Sequence, residues 1–161
     1  MSFEHEESSR PSADPEVESI FDVTPLQESV LFAKVLSGAP GTYLLQTALE
    51  LVGPLDRERL REALASVVAR HPSLRTSFVW EELDQPQQVV WSTADVPWEV
   101  VDWSGQPRYE LKRRWSQLLE EDRRAGMDLE LAPLLRATLV RLDRDEHLLL
   151  LTTHHIVIDG W

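Results

Sequence analysis

The chain has 161 residues, and 16 Lys and Arg stand against 28 Asp and Glu, which gives a formal net charge of −12. So acidic a chain lacks the clustered basic charge with which proteins hold nucleic acid or anionic lipid. It contains no cysteine, which excludes disulfides, thiolate nucleophiles and Cys-ligated zinc. The composition, 42% hydrophobic, predicts one globular domain or part of one. No signal peptide or membrane span is recognisable, so the cytoplasm is expected.

Residues 1–19 are predicted to be an acidic disordered tail or linker. They hold six acidic residues against one arginine, Arg10, and too few apolar residues to bury a core. The folded domain is expected over residues 20–161. Its first element is a helix, because Thr24 supplies a hydroxyl cap, Pro25 fits the first helical position and Gln27 completes a capping box.

The next segments alternate between strand and helix patterns. Alternating side chains from Leu45 to Leu51 predict a half-buried strand, and Asp56 caps a second helix that ends before His71-Pro72. Residues 76–80 and 87–91 are typical of a hairpin, and a short strand at 98–102 follows. A long helix should run from Pro107 to Gly126. These alternations indicate the α/β class.

The last two predicted strands are residues 134–142 and 147–153. Residues 148–151 are four consecutive leucines, which is too apolar for a surface strand. The second of these strands should therefore be central in its sheet and covered on both faces.

The chemistry-bearing residues follow that central strand. His154 and His155 leave its end, and Asp159 comes four residues later. Adjacent side chains of an extended chain point in opposite directions, so one histidine should face a cleft and the other the fold. Three interpretations stay open on the residues alone. His155 is a general base with Asp159 as its brace and His154 packed inward; or all three ligate a metal; or the histidines bond only to backbone carbonyls.

Three motifs stand in a recognisable order. The string His154-His155-Ile-Val-Ile-Asp159-Gly160-Trp161 resembles the HHxxxDG motif of condensation domains from nonribosomal peptide synthetases. Residues 24–32 are similar to the opening helix motif of that family, and residues 70–78 (RHPSLRTSF) to its RHxxLRTxF motif. The resemblance covers about residues 20–161. It implies the chloramphenicol acetyltransferase-like sandwich fold, with a mixed sheet and flanking helices.

The resemblance also implies a mechanism. In this family, the amine of an aminoacyl thioester attacks a donor acyl or peptidyl thioester, both held on phosphopantetheine arms of carrier proteins. His155 matches the catalytic histidine. His154, Asp159, Gly160 and Arg75 match supporting positions: Asp159 would pair with Arg75, and Gly160 would keep the backbone close to the substrate channel. The resemblance implies no metal and no cofactor bound directly.

Only the N-terminal lobe of such a domain matches the sequence. We therefore expect a fragment of a larger synthetase, inactive by itself, whose partners are carrier proteins, adenylation and other synthetase domains, and the missing C-terminal lobe. Two other functions stay open: a non-catalytic module that docks a carrier protein, and an acyltransferase of the same fold that uses a CoA-linked donor.

Overall fold

The structure is a computed structural model that describes residues 15–158. In chain order the strands and helices are β1 (Val17–Asp22), α1 (Pro25–Ser37), β2 (Leu44–Val52), α2 (Arg57–Arg70), β3 (Thr76–Val79), β4 (Gln87–Trp91), β5 (Trp98–Asp102), α3 (Arg108–Ala125), β6 (Leu135–Arg141) and β7 (Glu146–His154). A short 3₁₀ turn, Pro72–Arg75, joins α2 to β3. None of the helices in this described part of the chain is long and apolar enough to cross a membrane.

The strands form two sheets. The smaller has the order β1-β4-β3 and is antiparallel throughout, so the predicted β3–β4 hairpin is confirmed. The larger has the order β2-β7-β6-β5 and is mixed, because β5 and β6 run parallel while the other pairs are antiparallel. β7 lies between β2 and β6, which confirms its predicted central position.

The helix caps behave as the sequence predicts. The Thr24 hydroxyl accepts a hydrogen bond from the Gln27 amide, and the Gln27 side chain accepts one from the Thr24 amide at 2.9 Å. Asp56 caps α2 by accepting from the backbone N–H of Arg59. Gly126 follows α3 with a φ of +68°. A Cβ there would lie 2.7 Å from Pro40, so the loop before β2 packs closely on the end of α3.

Among residues 15–158, two apolar clusters form the core. One packs α1 and β3 against the start of β6 and the turn after β7, and its buried members are Val30, Leu31, Phe78, Leu129, Leu134 and Ile156. The other packs α2 on one face of the larger sheet, around Ala137, Leu139 and Leu149. The opposite face of that sheet carries α3, which is joined to β2, β6 and β7 by polar contacts of Asp122.

The predicted boundary between the tail (residues 1–19) and the folded domain is wrong, because residues 17–19 belong to a strand. Val17–Asp22 form β1, which pairs with β4, so order begins before residue 20. The side chains of β1 are mostly exposed, and the strand is held by its backbone ladder instead of by buried apolar groups. Its apolar residues, Val17, Ile20 and Phe21, do not alternate with polar ones, so the sequence lacks the period-two pattern of a half-buried strand. Residues 1–14 of the predicted tail lie outside the described residues.

β2 is a strand as predicted, but most of it is more exposed than a half-buried strand. It is the edge of the larger sheet, and Leu45 and Leu49 remain 41% and 42% exposed. Alternation in the sequence identified the strand, whereas its edge position determined how much of it is covered.

Candidate active site

The two adjacent histidines lie where the central strand β7 ends. His154 is completely buried, while His155 is exposed. His154 is the last residue of β7 and His155 is the first residue of the turn that follows. Their opposite burial agrees with the predicted opposite directions of the two side chains. Of these two histidines, only His155 is accessible to another molecule.

His154 is fixed in a neutral form by its surroundings. Its Nδ1 accepts a hydrogen bond from the backbone N–H of Ile156 at 3.3 Å, which leaves the proton on Nε2. Burial, and next to it the positive charge of Lys34, lower the pKa of His154 to about 4. The His154 carbonyl also accepts from the N–H of Val157, so this residue closes the turn that carries His155. A group so far from its usual pKa is suited to support, not to proton transfer at neutral pH.

His155 lies in a groove between the start of α1 and the turn after β7. The groove has a volume of about 340 Å³, and Thr24, Leu26 and Gln27 form its α1 side. A smaller hollow of about 130 Å³ adjoins it, lined mainly by the apolar side chains of Leu26, Val30, Tyr43 and Ile156. The exposed imidazole therefore stands in a groove of mixed polarity, beside a smaller apolar hollow.

Two further residues, Gln27 of the groove and Tyr43 of the smaller hollow, are not identified as site residues by the sequence. The sequence predicts only a capping role for Gln27, but its Nε2 also donates to the Ile156 carbonyl at 3.4 Å. Tyr43 accepts a hydrogen bond from the backbone N–H of His155 at 2.9 Å through its carbonyl. Tyr43 is distant from His155 in the sequence, and only the pairing of β2 with β7 brings them together.

Arg75 is buried, with 5% of the residue exposed. Its guanidinium donates to Glu18 Oε2 of β1 at 2.7 Å and to the carbonyl of Trp91 at the end of β4. Within the smaller sheet, Arg75 therefore bridges β1 and the end of β4. Its predicted partner, Asp159, lies outside the described residues, as does Gly160, so the Asp159–Arg75 pair stays a prediction.

The metal hypothesis gains no support from the described residues. Within residues 15–158 no group of three or more histidine, aspartate or glutamate side chains is placed to hold a metal ion. Asp159, the third ligand of that hypothesis, lies outside the described residues, so a metal site that includes it is not tested.

Known proteins match both the sequence and the fold. The sequence profile of the condensation domain matches residues 17–161, so the chain belongs to the condensation-domain family. A linear gramicidin synthase protein of Brevibacillus parabrevis is 39% identical over 145 residues, which are 90% of this chain and 3% of that protein. Chondramide synthase of Chondromyces crocatus is 41% identical over 124 residues, or 74% of this chain and 3% of that protein.

Solved structures confirm the predicted fold class. The first condensation domain of the calcium-dependent antibiotic synthetase, in complex with a substrate analogue, matches with a TM-score of 0.78 at 25% identity and covers 90% of this chain. A four-domain nonribosomal peptide synthetase bound to AMP and glycine has a TM-score of 0.81 at 21% identity, which is a likeness of fold. The chain spans 36% of the first of these chains and 11% of the second.

Proposed function

We propose that this chain supplies the histidine-bearing lobe of a condensation domain that forms peptide bonds in nonribosomal peptide synthesis. The observation that carries the proposal is the exposed imidazole of His155, which stands in a groove at the end of the central strand while His154 beside it is buried and neutral. The family membership and the antibiotic synthetases among the relatives support the same reaction class.

The proposed reaction joins two thioesters. The amino group of an aminoacyl thioester attacks the carbonyl carbon of a donor acyl or peptidyl thioester, so a C–N bond forms and the C–S bond breaks. The attacking nitrogen loses a proton, and the departing thiolate gains one. An imidazole near neutral pH can accept the first proton and return it, or hold the amine in line by a hydrogen bond. We assign this work to His155.

The remaining predicted residues have supporting roles in the proposal. His154 packs inward and closes the turn, and Arg75 supports the smaller sheet from its buried position. Asp159 and Gly160 keep the roles that the HHxxxDG resemblance implies. The donor and acceptor would arrive on phosphopantetheine arms of carrier proteins, with adenylation domains as further partners. The cytoplasmic location stays a prediction from the sequence.

The test is a condensation assay in a complete condensation domain that contains this sequence, with loaded donor and acceptor carriers and product detected by mass. We expect His155→Ala to lower the rate by roughly 100-fold or more, because general acid–base groups contribute about that much. His71→Ala is the matched control: His71 is exposed, and only its backbone N–H takes part in the α2 cap.

Three results would contradict the proposal. If His155→Ala formed product at the wild-type rate, His155 would not carry the reaction and the motif would be a structural strand end. If the wild-type domain bound both loaded carriers but formed no product, the lobe would be a docking module. If product formed only from a CoA-linked donor, the chain would be an acyltransferase of the same fold with a different donor.

A further inference from the structure

We propose that Tyr43 is the positioning residue for His155, and that it acts through its unusual backbone conformation. The inference rests on the proposed function of His155. Tyr43 has a φ of +60°, a left-handed conformation that side-chain-bearing residues adopt at a cost of about 1–2 kcal/mol. Residues held in such conformations must be stabilised by their surroundings, and they concentrate at functional sites.

The surroundings of Tyr43 leave it little freedom. On its C-terminal side, Leu44 is buried and pairs with His154 in the β2–β7 ladder. On its N-terminal side, a Cβ at Gly41 would lie 2.8 Å from the Arg123 carbonyl, so that loop is pressed onto the end of α3. The left-handed turn at Tyr43 joins these two fixed points.

Tyr43 contacts both histidines. Its carbonyl accepts the N–H of His155 at 2.9 Å, which extends the β2–β7 ladder by one step beyond Leu44 and His154. Its ring lies 6.4 Å from the His154 imidazole, centroid to centroid, with a tilt of 57°. Tyr43 also lines the smaller apolar hollow beside His155. Tyr43 therefore positions the backbone of His155 through a hydrogen bond, and its ring packs against His154.

A pair of variants of similar size separates the backbone effect from the ring. Tyr43→Asn and Tyr43→Val both lose the ring, but asparagine tolerates the left-handed region and the β-branched valine does not. Tyr43→Phe keeps the ring and removes only the hydroxyl, so it serves as the wild-type-like control.

The first readout is amide hydrogen exchange of His155 in the 161-residue chain, which is independent of any activity. The Tyr43 carbonyl should protect this amide in the wild type, in Tyr43→Phe and in Tyr43→Asn. We expect Tyr43→Val to exchange about tenfold faster than Tyr43→Asn, in line with the cost of the left-handed conformation. An unprotected His155 amide in the wild type, or equal exchange in the Asn and Val variants, would overturn the inference.

The second readout is catalysis in a complete condensation domain. We expect kcat to be about tenfold lower for Tyr43→Val than for Tyr43→Asn, with KM equal within about threefold, because a displaced His155 affects the reaction more than substrate binding. Equal kcat values would overturn the inference even if His155→Ala is inactive. An active His155→Ala would instead overturn the proposed function, whatever the exchange rates of the Tyr43 variants.

Discussion

At the scale of single residues, the structure gives the two neighbouring histidines different chemistry. They share the same sequence context, but His154 is buried beside the Tyr43 ring, within reach of the positive charge of Lys34, and His155 faces a groove. Burial disfavours the charged imidazole, and the nearby ammonium disfavours it further. The pair is thus divided into a neutral support and an accessible group by environment alone.

The buried state of His154 predicts a pH dependence of stability. Its pKa is about 4 in the folded chain and about 6.5 when unfolded, so between these values only the unfolded state binds the proton. The contribution of neutral His154 is complete above pH 6.5 and is lost as the pH falls toward 4. We expect a loss of about 2–3 kcal/mol in the free energy of unfolding, measured by urea denaturation across this range.

His154→Asn is the comparison for this prediction, since its Oδ1 can still accept from the Ile156 amide but does not titrate. Burial also lowers the pKa of His147, and this histidine contributes a loss of the same sign in both chains. The difference between the two pH profiles therefore isolates His154. Identical slopes from pH 6.5 to 4.5 would show that His154 is not the titrating group.

At the scale of elements, a cluster of polar contacts fixes α3 on the larger sheet. Asp122 of α3 accepts from Arg136 Nε of β6 at 2.5 Å, from Gln46 Nε2 of β2 at 2.6 Å and from Thr152 Oγ1 of β7 at 2.8 Å. Burial opposes ionisation of this carboxyl, but the three hydrogen bonds outweigh it and hold the pKa of Asp122 below its usual value. One carboxylate thus connects a helix to three strands, and Thr152 lies two residues before His154.

Removing this charge should loosen α3. We expect Asp122→Asn to lower the free energy of unfolding by about 3 kcal/mol, because Arg136, whose side chain is only 21% exposed, would lose its ionic partner. The measurement is urea denaturation at neutral pH. Glu120→Gln is the control on the same helix, since Glu120 and Arg124 form an exposed pair worth at most about 0.5 kcal/mol. Equal losses from the two substitutions would contradict a special role for Asp122.

At the scale of the whole molecule, an apolar surface stays uncovered in the described part of the chain. α1 buries Val30 and Leu31, but its opposite side exposes Phe32, Val35 and Leu36 by 65%, 59% and 70%. Contiguous exposed apolar side chains favour association. The high net negative charge of the chain opposes association, and measurement of self-association shows which of the two effects is larger.

We expect the isolated chain to self-associate at raised concentration, and the double substitution Phe32→Glu and Leu36→Glu to suppress this. Light scattering coupled to gel filtration, over a concentration series at moderate salt, measures the effect. Ser66→Glu with Gln117→Glu adds the same charge on exposed positions of α2 and α3 without removing apolar surface. Equal suppression by both pairs would mean that charge alone, and not the α1 surface, governs association.

The sequence by itself determined the features that depend on neighbouring residues. The Thr24 and Asp56 caps, the β3–β4 hairpin and the opposite directions of His154 and His155 follow from short-range geometry, and the structure confirms each. The three ordered motifs also identified the family, which the profile match confirms. All of these features depend on residues that are close together in the sequence, so they can be recognised without knowledge of the tertiary fold.

Only the tertiary structure decided which distant residues meet. β1 is ordered by pairing with β4 and by the hydrogen bond between Glu18 and Arg75. Neither contact can be predicted from the acidic segment that contains Glu18. Tyr43 reaches His155 only because β2 pairs with β7. The physical reason is that a carbonyl or carboxylate oxygen can accept a hydrogen bond from any donor, and the tertiary fold decides which donor lies close enough. The residue pattern of a segment predicts the helix or strand that the segment forms, but it does not identify the distant residue that donates the hydrogen bond.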